Sequence, residues 1–71
     1  MEQHKINVSE RIRQIIKEKG YTQKAIAARA GFDANKFHGL LHGHLIIRAE
    51  YLPRIAKALG VSINEFFRVR K

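Results

Sequence analysis

Apolar residues recur at helical spacing in several short segments of the chain. In Val8–Lys19 they form one stripe, with Asn7 placed as the N-cap and Gly20 as the residue that ends the helix. A second segment, Gln23–Ala30, has Thr22 placed as its N-cap, is rich in alanine and ends at Gly31. The pattern therefore predicts two successive helices separated by a few residues.

A third helix is predicted to follow almost at once. Asp33 is placed as its N-cap, and Phe32 is placed to pack on Phe37 across the first turn. Phe37 and Leu40 indicate a buried side, and Gly43 is expected to end the helix.

Two further helices are predicted in the second half of the chain. The fourth has apolar residues at i, i+3, i+4 and i+7 from Leu52, tolerates Pro53 in its first turn, and ends at Gly60. Ser62 and Glu65 have the spacing of a capping box for a short fifth helix. Since no segment alternates with period two, we expect an all-α fold of five helices.

The linker between the second and third helices is very short. Residues 31–33 leave room only for a tight turn, which forces the two helices to cross steeply, as in a helix-turn-helix. The side of the third helix opposite Phe37 is polar or small and could enter a major groove. Its residues are Ala34, Asn35, Lys36, His38, Gly39 and His42.

Composition supports a small basic domain. Fourteen Lys and Arg against six Asp and Glu give a formal charge of +8, which favours polyanionic partners. The absence of cysteine excludes a disulfide framework and a thiolate metal site. The polar N-terminus and the short apolar runs indicate a cytoplasmic protein without a membrane role. We expect one domain over residues 1–71, with an ordered core at 7–67, a polar arm at 1–6 and a basic tail at 68–71.

The stretch from Glu10 to Phe67 resembles the Cro/repressor-type helix-turn-helix family, the xenobiotic-response-element-like regulators that include phage repressor N-terminal domains. The resemblance rests on Gly20–Gln23, Ala30–Asp33 and Leu52–Ser62, which follow one another at the family's separations. It implies a compact five-helix, lambda-repressor-like domain with the third helix as the recognition helix.

The resemblance also implies roles for individual residues. Positions that face bases in the family hold Ala34, Asn35, Lys36 and His38, and asparagine and lysine can bond adenine and guanine edges. Gln23 matches a glutamine that bonds a phosphate and braces the recognition helix. We expect further phosphate contacts or positioning from neighbouring polar and basic residues, namely Thr22, Lys24, Arg13, His42 and His44.

The sequence departs from the family at three places, the first being Ala34 and Gly39, which lack the polar side chains of some phage repressors. Ile16 and Leu41 stand where many members carry a buried Arg–Glu pair, an exchange that is often neutral or stabilising. Leu45, Ile46 and Ile47 stand in a loop that is usually polar, and they either pack over the core or form a dimer or protein-partner contact. Phe67 and Val69 are further candidates for a dimer contact.

The histidines allow two interpretations. His38 and His42 lie at i and i+4, with His44 nearby, a spacing that can hold zinc, although no carboxylate or thiolate is placed to complete the ligand set. A histidine cluster facing DNA or solvent is the favoured interpretation, and we predict no metal and no cofactor. Protonation of such a cluster would strengthen binding to phosphates below about pH 6.5.

The sequence shows no phosphate loop, nucleophile motif or carboxylate pair, so we do not expect an enzyme. We predict a double-stranded DNA-binding transcriptional regulator, a repressor, that binds as a homodimer with recognition helices roughly 34 Å apart. The alternative is a protein-interaction module of the same fold, related to an antitoxin or antirepressor. An architectural DNA binder without base preference is a third possibility.

Overall fold

The computed structural model describes residues 7–67, and its regular structure is helical throughout this range. Four α-helices, α1 (Val8–Lys19), α2 (Gln23–Ala30), α3 (Ala34–Leu41) and α4 (Leu52–Leu59), are accompanied by two 3₁₀ helices, Ala49–Tyr51 and Ile63–Phe67. The all-α prediction is therefore confirmed for the described residues.

The predicted count of five helices is wrong, because the last segment is a 3₁₀ helix. It is only five residues long, and short helical pieces often adopt 3₁₀ geometry. The Ser62 hydroxyl accepts from the Asn64 amide rather than from Glu65, so the capping box does not form as expected. The Glu65 carbonyl accepts a bond from Arg11 Nε at 2.8 Å, which ties this segment to α1.

The predicted N-caps are confirmed by their hydrogen bonds. The Asn7 side chain accepts from the Glu10 amide at 3.0 Å, and the Thr22 hydroxyl accepts from the Ala25 amide at 3.1 Å. The Asp33 carboxylate accepts hydrogen bonds from the Asn35 and Lys36 amides in the first turn of α3. Amides at the start of a helix have no acceptor within the helix, and Asp33 supplies one. Three polar side chains thus fix where α1, α2 and α3 begin.

The end of α3 differs from the prediction. The helix ends at Leu41, with His42 as its C-cap, and Gly43 adopts a left-handed conformation just beyond it. The amides of His44 and Leu45 both donate to the Gly39 carbonyl, so the chain turns back immediately after the helix. This turn places the following loop against α3.

One apolar core joins all four α-helices. Ile16 and Leu41, which replace the charged pair of many relatives, are both buried in it, as expected for an apolar exchange at a core position. The second 3₁₀ helix contributes the fully buried Phe66. The core residues are Ile12, Ile15, Ile16, Ile26, Ala27, Ala30, Phe32, Phe37, Leu40, Leu41, Ile55, Ala56, Ala58, Leu59 and Phe66.

Candidate nucleic-acid interface

The turn between α2 and α3 sets the direction of α3. Gly31 has φ +82°, a conformation that side chains rarely adopt. The rings of Phe32 and Phe37 stack with centroids 5.7 Å apart, which confirms the predicted packing across the first turn. This packing buries one side of α3 and leaves its opposite side exposed.

Arg54, on α4, braces this turn in a way that the sequence did not reveal. Its Nε donates to the Ala30 carbonyl at 3.0 Å, and its Nη2 donates to the Gly31 carbonyl at 2.9 Å. Its guanidinium also lies over the Phe32 ring, 4.2 Å from the centroid. No local pattern indicates this role, because donor and acceptors are 23 and 24 residues apart in the chain.

The four residues expected to face bases are exposed on α3: Ala34, Asn35, Lys36 and His38. Gly39, which the sequence pattern placed on the same side, is buried instead. A Cβ atom on Gly39 would meet Leu45 Cδ1 at 3.0 Å, so this glycine makes room for the loop rather than for a base.

Lys36 makes a contact that the sequence did not predict. Its Nζ lies over the Tyr51 ring, 5.1 Å from the centroid. Cations are attracted to the faces of aromatic rings by about 0.5–1 kcal/mol at exposed sites. The ammonium group is therefore held beside the first 3₁₀ helix in the protein without DNA, and Asn35 and His38 remain as the exposed polar groups of this part of α3.

A cluster from three helices lies beside the exposed side of α3. The Gln23 amide nitrogen lies 3.4 Å from His42 Nε2, and Nε2 accepts this bond in the neutral tautomer that carries its proton on Nδ1. The His38 and His42 rings are 4.2 Å apart at their centroids, which joins the cluster to the base-facing residues. We call Arg13, Gln23 and His42 the phosphate clamp, because the sequence predicts phosphate contacts at these three residues.

Arg13 brings a buried donor and a positive charge to the clamp. Arg13 Nε is buried and has no hydrogen-bond partner among the described residues. Its charge also acts on the neighbouring imidazole: the pKa of His42 is lowered from 6.5 by desolvation and by the charges of His38, Arg13 and His44. Several positive or protonatable groups are thus held together, and an anionic oxygen between them would relieve their mutual repulsion.

This lowered pKa predicts a pH dependence. A phosphate beside His42 would raise its pKa, so binding would take up a proton, and DNA affinity is expected to rise severalfold from about pH 8 to about pH 6. Folding should respond in the opposite direction. Because the folded-state pKa lies below the ordinary value, the contribution of His42 to stability is complete above about pH 6.5 and declines as pH falls.

Fluorescence anisotropy with a labelled duplex measures the first effect, and urea unfolding of the free protein measures the second. The His42→Gln variant provides the control, since glutamine can bond a phosphate without titrating. An affinity that is flat between about pH 8 and about pH 6 in the unmodified protein would contradict a protonatable clamp.

The other residues predicted to position DNA lie near the clamp with different contacts. The Thr22 hydroxyl is engaged as the cap of α2, while Lys24 is exposed on the first turn of that helix. His44 is exposed in the loop after α3 and contributes to the lowered pKa of His42. Arg29, a further cation on α2, donates to the Ala58 carbonyl of α4 instead.

The apolar loop divides into an exposed and a covered part. Ile46 is 85% exposed and Leu45 is 46% exposed, whereas Ile47 packs against the core. Ile47 therefore packs over the core, and Leu45 packs on the buried Gly39 of α3 while remaining partly exposed. Phe67 is 43% exposed, and Val69 lies outside the described residues.

Residues 7–67 contain neither a candidate metal site nor a candidate membrane-spanning helix. No three His, Cys, Asp or Glu side chains in this range lie close enough together to hold a metal ion. In the same range, each helix is too short or too polar to cross a bilayer.

A short turn, a buried inner side and an exposed polar side on α3 define a helix-turn-helix protein. A family profile described as a helix-turn-helix domain matches residues 9–70, and the chain belongs to this family. The resemblance to Cro/repressor-type regulators is thereby confirmed, and the chain is a DNA-binding transcription regulator rather than an enzyme.

The fold is also similar to that of a solved structure. The crystal structure of the restriction-modification controller protein C.AhdI from Aeromonas hydrophila aligns with a TM-score of 0.81 and 24% identity. The alignment covers 87% of this chain and 94% of the controller protein, so the two share their fold over nearly their whole lengths. No curated protein matches the sequence.

Proposed function

We propose that the chain recognises a specific double-stranded DNA sequence by inserting α3 into the major groove, and that it represses transcription by occupying this site. The main support is the contact between His38 and His42, which places the base-facing residues directly beside the phosphate clamp. One DNA duplex can therefore contact the base-facing residues of α3 and the phosphate clamp at the same time. The likeness to C.AhdI, a restriction-modification controller protein, also favours regulation as the function.

The proposed roles follow from chemistry and exposure. Asn35 reads a base through its amide, which can bond adenine at two positions, and His38 offers a ring nitrogen beside it. Lys36 leaves the Tyr51 ring to reach a guanine or a nearby phosphate, and Ala34 contacts a thymine methyl group. Phosphate contacts from the clamp fix the register, with further attraction from Thr22, Lys24 and His44.

The salt dependence of binding tests the clamp. Each phosphate neutralised contributes about −0.9 to the slope of log affinity against log salt concentration. The Arg13→Gln variant is therefore expected to bind all duplexes more weakly and to have a slope smaller in magnitude by about 0.9. Anisotropy titrations at several salt concentrations measure this slope.

The matched control is Lys19→Gln, which removes the same charge at the far end of α1. It should change the slope by less than half as much as Arg13→Gln does. Equal slopes for the two variants would show that Arg13 contributes only general charge, and the clamp would then be wrong.

We further propose that the chain binds DNA as a homodimer that spans two half-sites roughly 34 Å apart. Its support is the exposure of three large apolar side chains, Leu45, Ile46 and Phe67, since such side chains at the surface often mark contacts between proteins. Ile47 is partly buried against the core. Val69 remains a candidate outside the described residues.

The Ile46→Asp variant tests the dimer contact. A charge in an apolar interface should shift the protein to the monomer in light scattering, while circular dichroism and thermal unfolding of the monomer stay close to those of the unmodified protein. Ala28→Asp adds the same charge on an exposed part of α2 and should leave the oligomeric state unchanged. A dimer that persists in Ile46→Asp with an intact fold would exclude Ile46 from the interface.

The exposure of Ile46 also supports the alternative function, a protein-interaction module. Such a module would depend on the apolar loop for its affinity and show a weak dependence on salt. The DNA reader that we propose has the opposite signature, with a steep salt dependence.

A further inference from the structure

A basic groove lies between α2 and α4. It is lined by two alanines and three cationic residues: Arg29, Ala30, Arg54, Lys57 and Ala58. All three cationic residues are exposed, while both alanines are buried and form the floor. The groove therefore presents a short apolar floor between positively charged walls.

The hydrogen bonds of the two arginines leave part of each guanidinium available. Arg29 donates from Nη1 to the Ala58 carbonyl at 3.3 Å, which leaves its Nε and Nη2 groups. Arg54 donates from Nε and Nη2 to the turn before α3, which leaves its Nη1 group. These bonds fix both guanidinium groups in place without neutralising their charge, since their acceptors are backbone carbonyls.

The groove lies at the other end of α2 from the phosphate clamp, and Arg54 joins it to the turn before α3. Helix α2 packs on both α3 and α4, whereas α3 and α4 have few direct contacts. The phosphate clamp uses Gln23 at the beginning of α2, and the groove uses Arg29 and Ala30 at its end. Six residues separate Gln23 from Arg29, which corresponds to about 9 Å along an ideal helix, so the groove and the clamp use opposite ends of α2.

We propose that this groove binds an acidic segment of a partner protein. A glutamate side chain matches both the floor and the walls of the groove. Its methylene groups can lie on the two alanines, while its carboxylate accepts hydrogen bonds from the guanidinium groups on either side. Two such residues in one segment would engage Arg29 and Lys57 together. The partner would then bind to the protein while the protein is on DNA, a role that goes beyond DNA recognition.

The test uses a short labelled glutamate peptide and a glutamine peptide of the same length. The glutamate peptide should bind in anisotropy and shift the NMR signals of Arg29, Arg54 and Lys57, while the glutamine peptide should not bind. The Arg29→Ala/Lys57→Ala variant should bind the glutamate peptide about tenfold more weakly. Arg54 is left intact because it braces the turn.

The matched control is Lys17→Ala/Lys19→Ala, which removes two positive charges from α1. Equal weakening in both double variants, or NMR shifts confined to the clamp, would overturn the proposal, because general charge would then explain the binding. A double variant that fails to fold is replaced by Arg29→Gln/Lys57→Gln, which keeps most of each side chain.

Duplex binding separates the proposal from a second source of anions. The Arg29→Ala/Lys57→Ala variant should bind DNA with the same affinity and salt slope as the α1 control. A smaller slope in the groove variant alone would mean that the groove holds a DNA phosphate, and the protein-partner site would be wrong. This outcome would leave base recognition by Asn35 untouched, so the two proposals fail independently.

Discussion

The Phe37→Ala variant is expected to lose about 3–5 kcal/mol of unfolding free energy, the usual cost of removing a buried phenylalanine. Phe37 is fully buried, and its ring stacks on Phe32 at the turn before α3. A domain of 71 residues has a total stability on the order of 7 kcal/mol at about 0.1 kcal/mol per residue. The substitution should therefore remove about half of it and loosen the recognition helix from the core.

Urea unfolding followed by circular dichroism measures this loss. Phe67→Ala removes the same side chain from a position that is 43% exposed, so it should cost less than half as much. Both variants are compared at concentrations low enough for the monomer to predominate. A Phe37→Ala variant as stable as Phe67→Ala would mean that the inner side of α3 is not anchored in the core as described.

The Asn35→Ala variant is expected to lose about 1–3 kcal/mol of discrimination at one base pair of the preferred site, which is about fivefold to about 150-fold in relative affinity. The loss should be confined to sequence preference, because Asn35 contacts base edges in our proposal and carries no charge. Its side chain is exposed and lies outside the core, so the unfolding free energy should change little.

Competition between the preferred duplex and a duplex changed at that base pair measures the discrimination. Asn64→Ala provides the control, since it removes the same side chain from an exposed position on the second 3₁₀ helix. An Asn35→Ala protein that keeps full discrimination would remove Asn35 from the base-reading set. An equal loss of affinity for both duplexes would mean that Asn35 contacts a phosphate instead of a base.

Much of the fold could be predicted from local sequence signals. Asn7, Thr22 and Asp33 each make the capping bonds expected of them, because a cap is a contact over two or three residues. The segment Ile63–Phe67 is instead a short 3₁₀ helix, and it is held by a tertiary bond, since Arg11, 54 residues earlier in the chain, donates to the Glu65 carbonyl. Local rules do not include such a bond.

The site was harder to predict for the same reason. The exposed side of α3 follows from helical periodicity, so Asn35 and His38 could be placed on it. The role of Arg54, the cover of Leu45 over Gly39 and the position of Lys36 on Tyr51 all depend on where separate elements meet. The groove between α2 and α4 could not be predicted from the sequence, because Arg29 and Lys57 are brought together only by the packing of the two helices.

Selection from a random duplex library with the purified protein, at near-physiological salt, most directly tests whether α3 reads a DNA sequence. We expect an enriched inverted repeat whose half-sites lie about one helical turn apart, with a motif that changes when Asn35 is replaced by alanine. A single enriched half-site would retain base recognition and contradict the dimer. Recovery of no motif, from protein that still binds DNA, would contradict sequence recognition by α3.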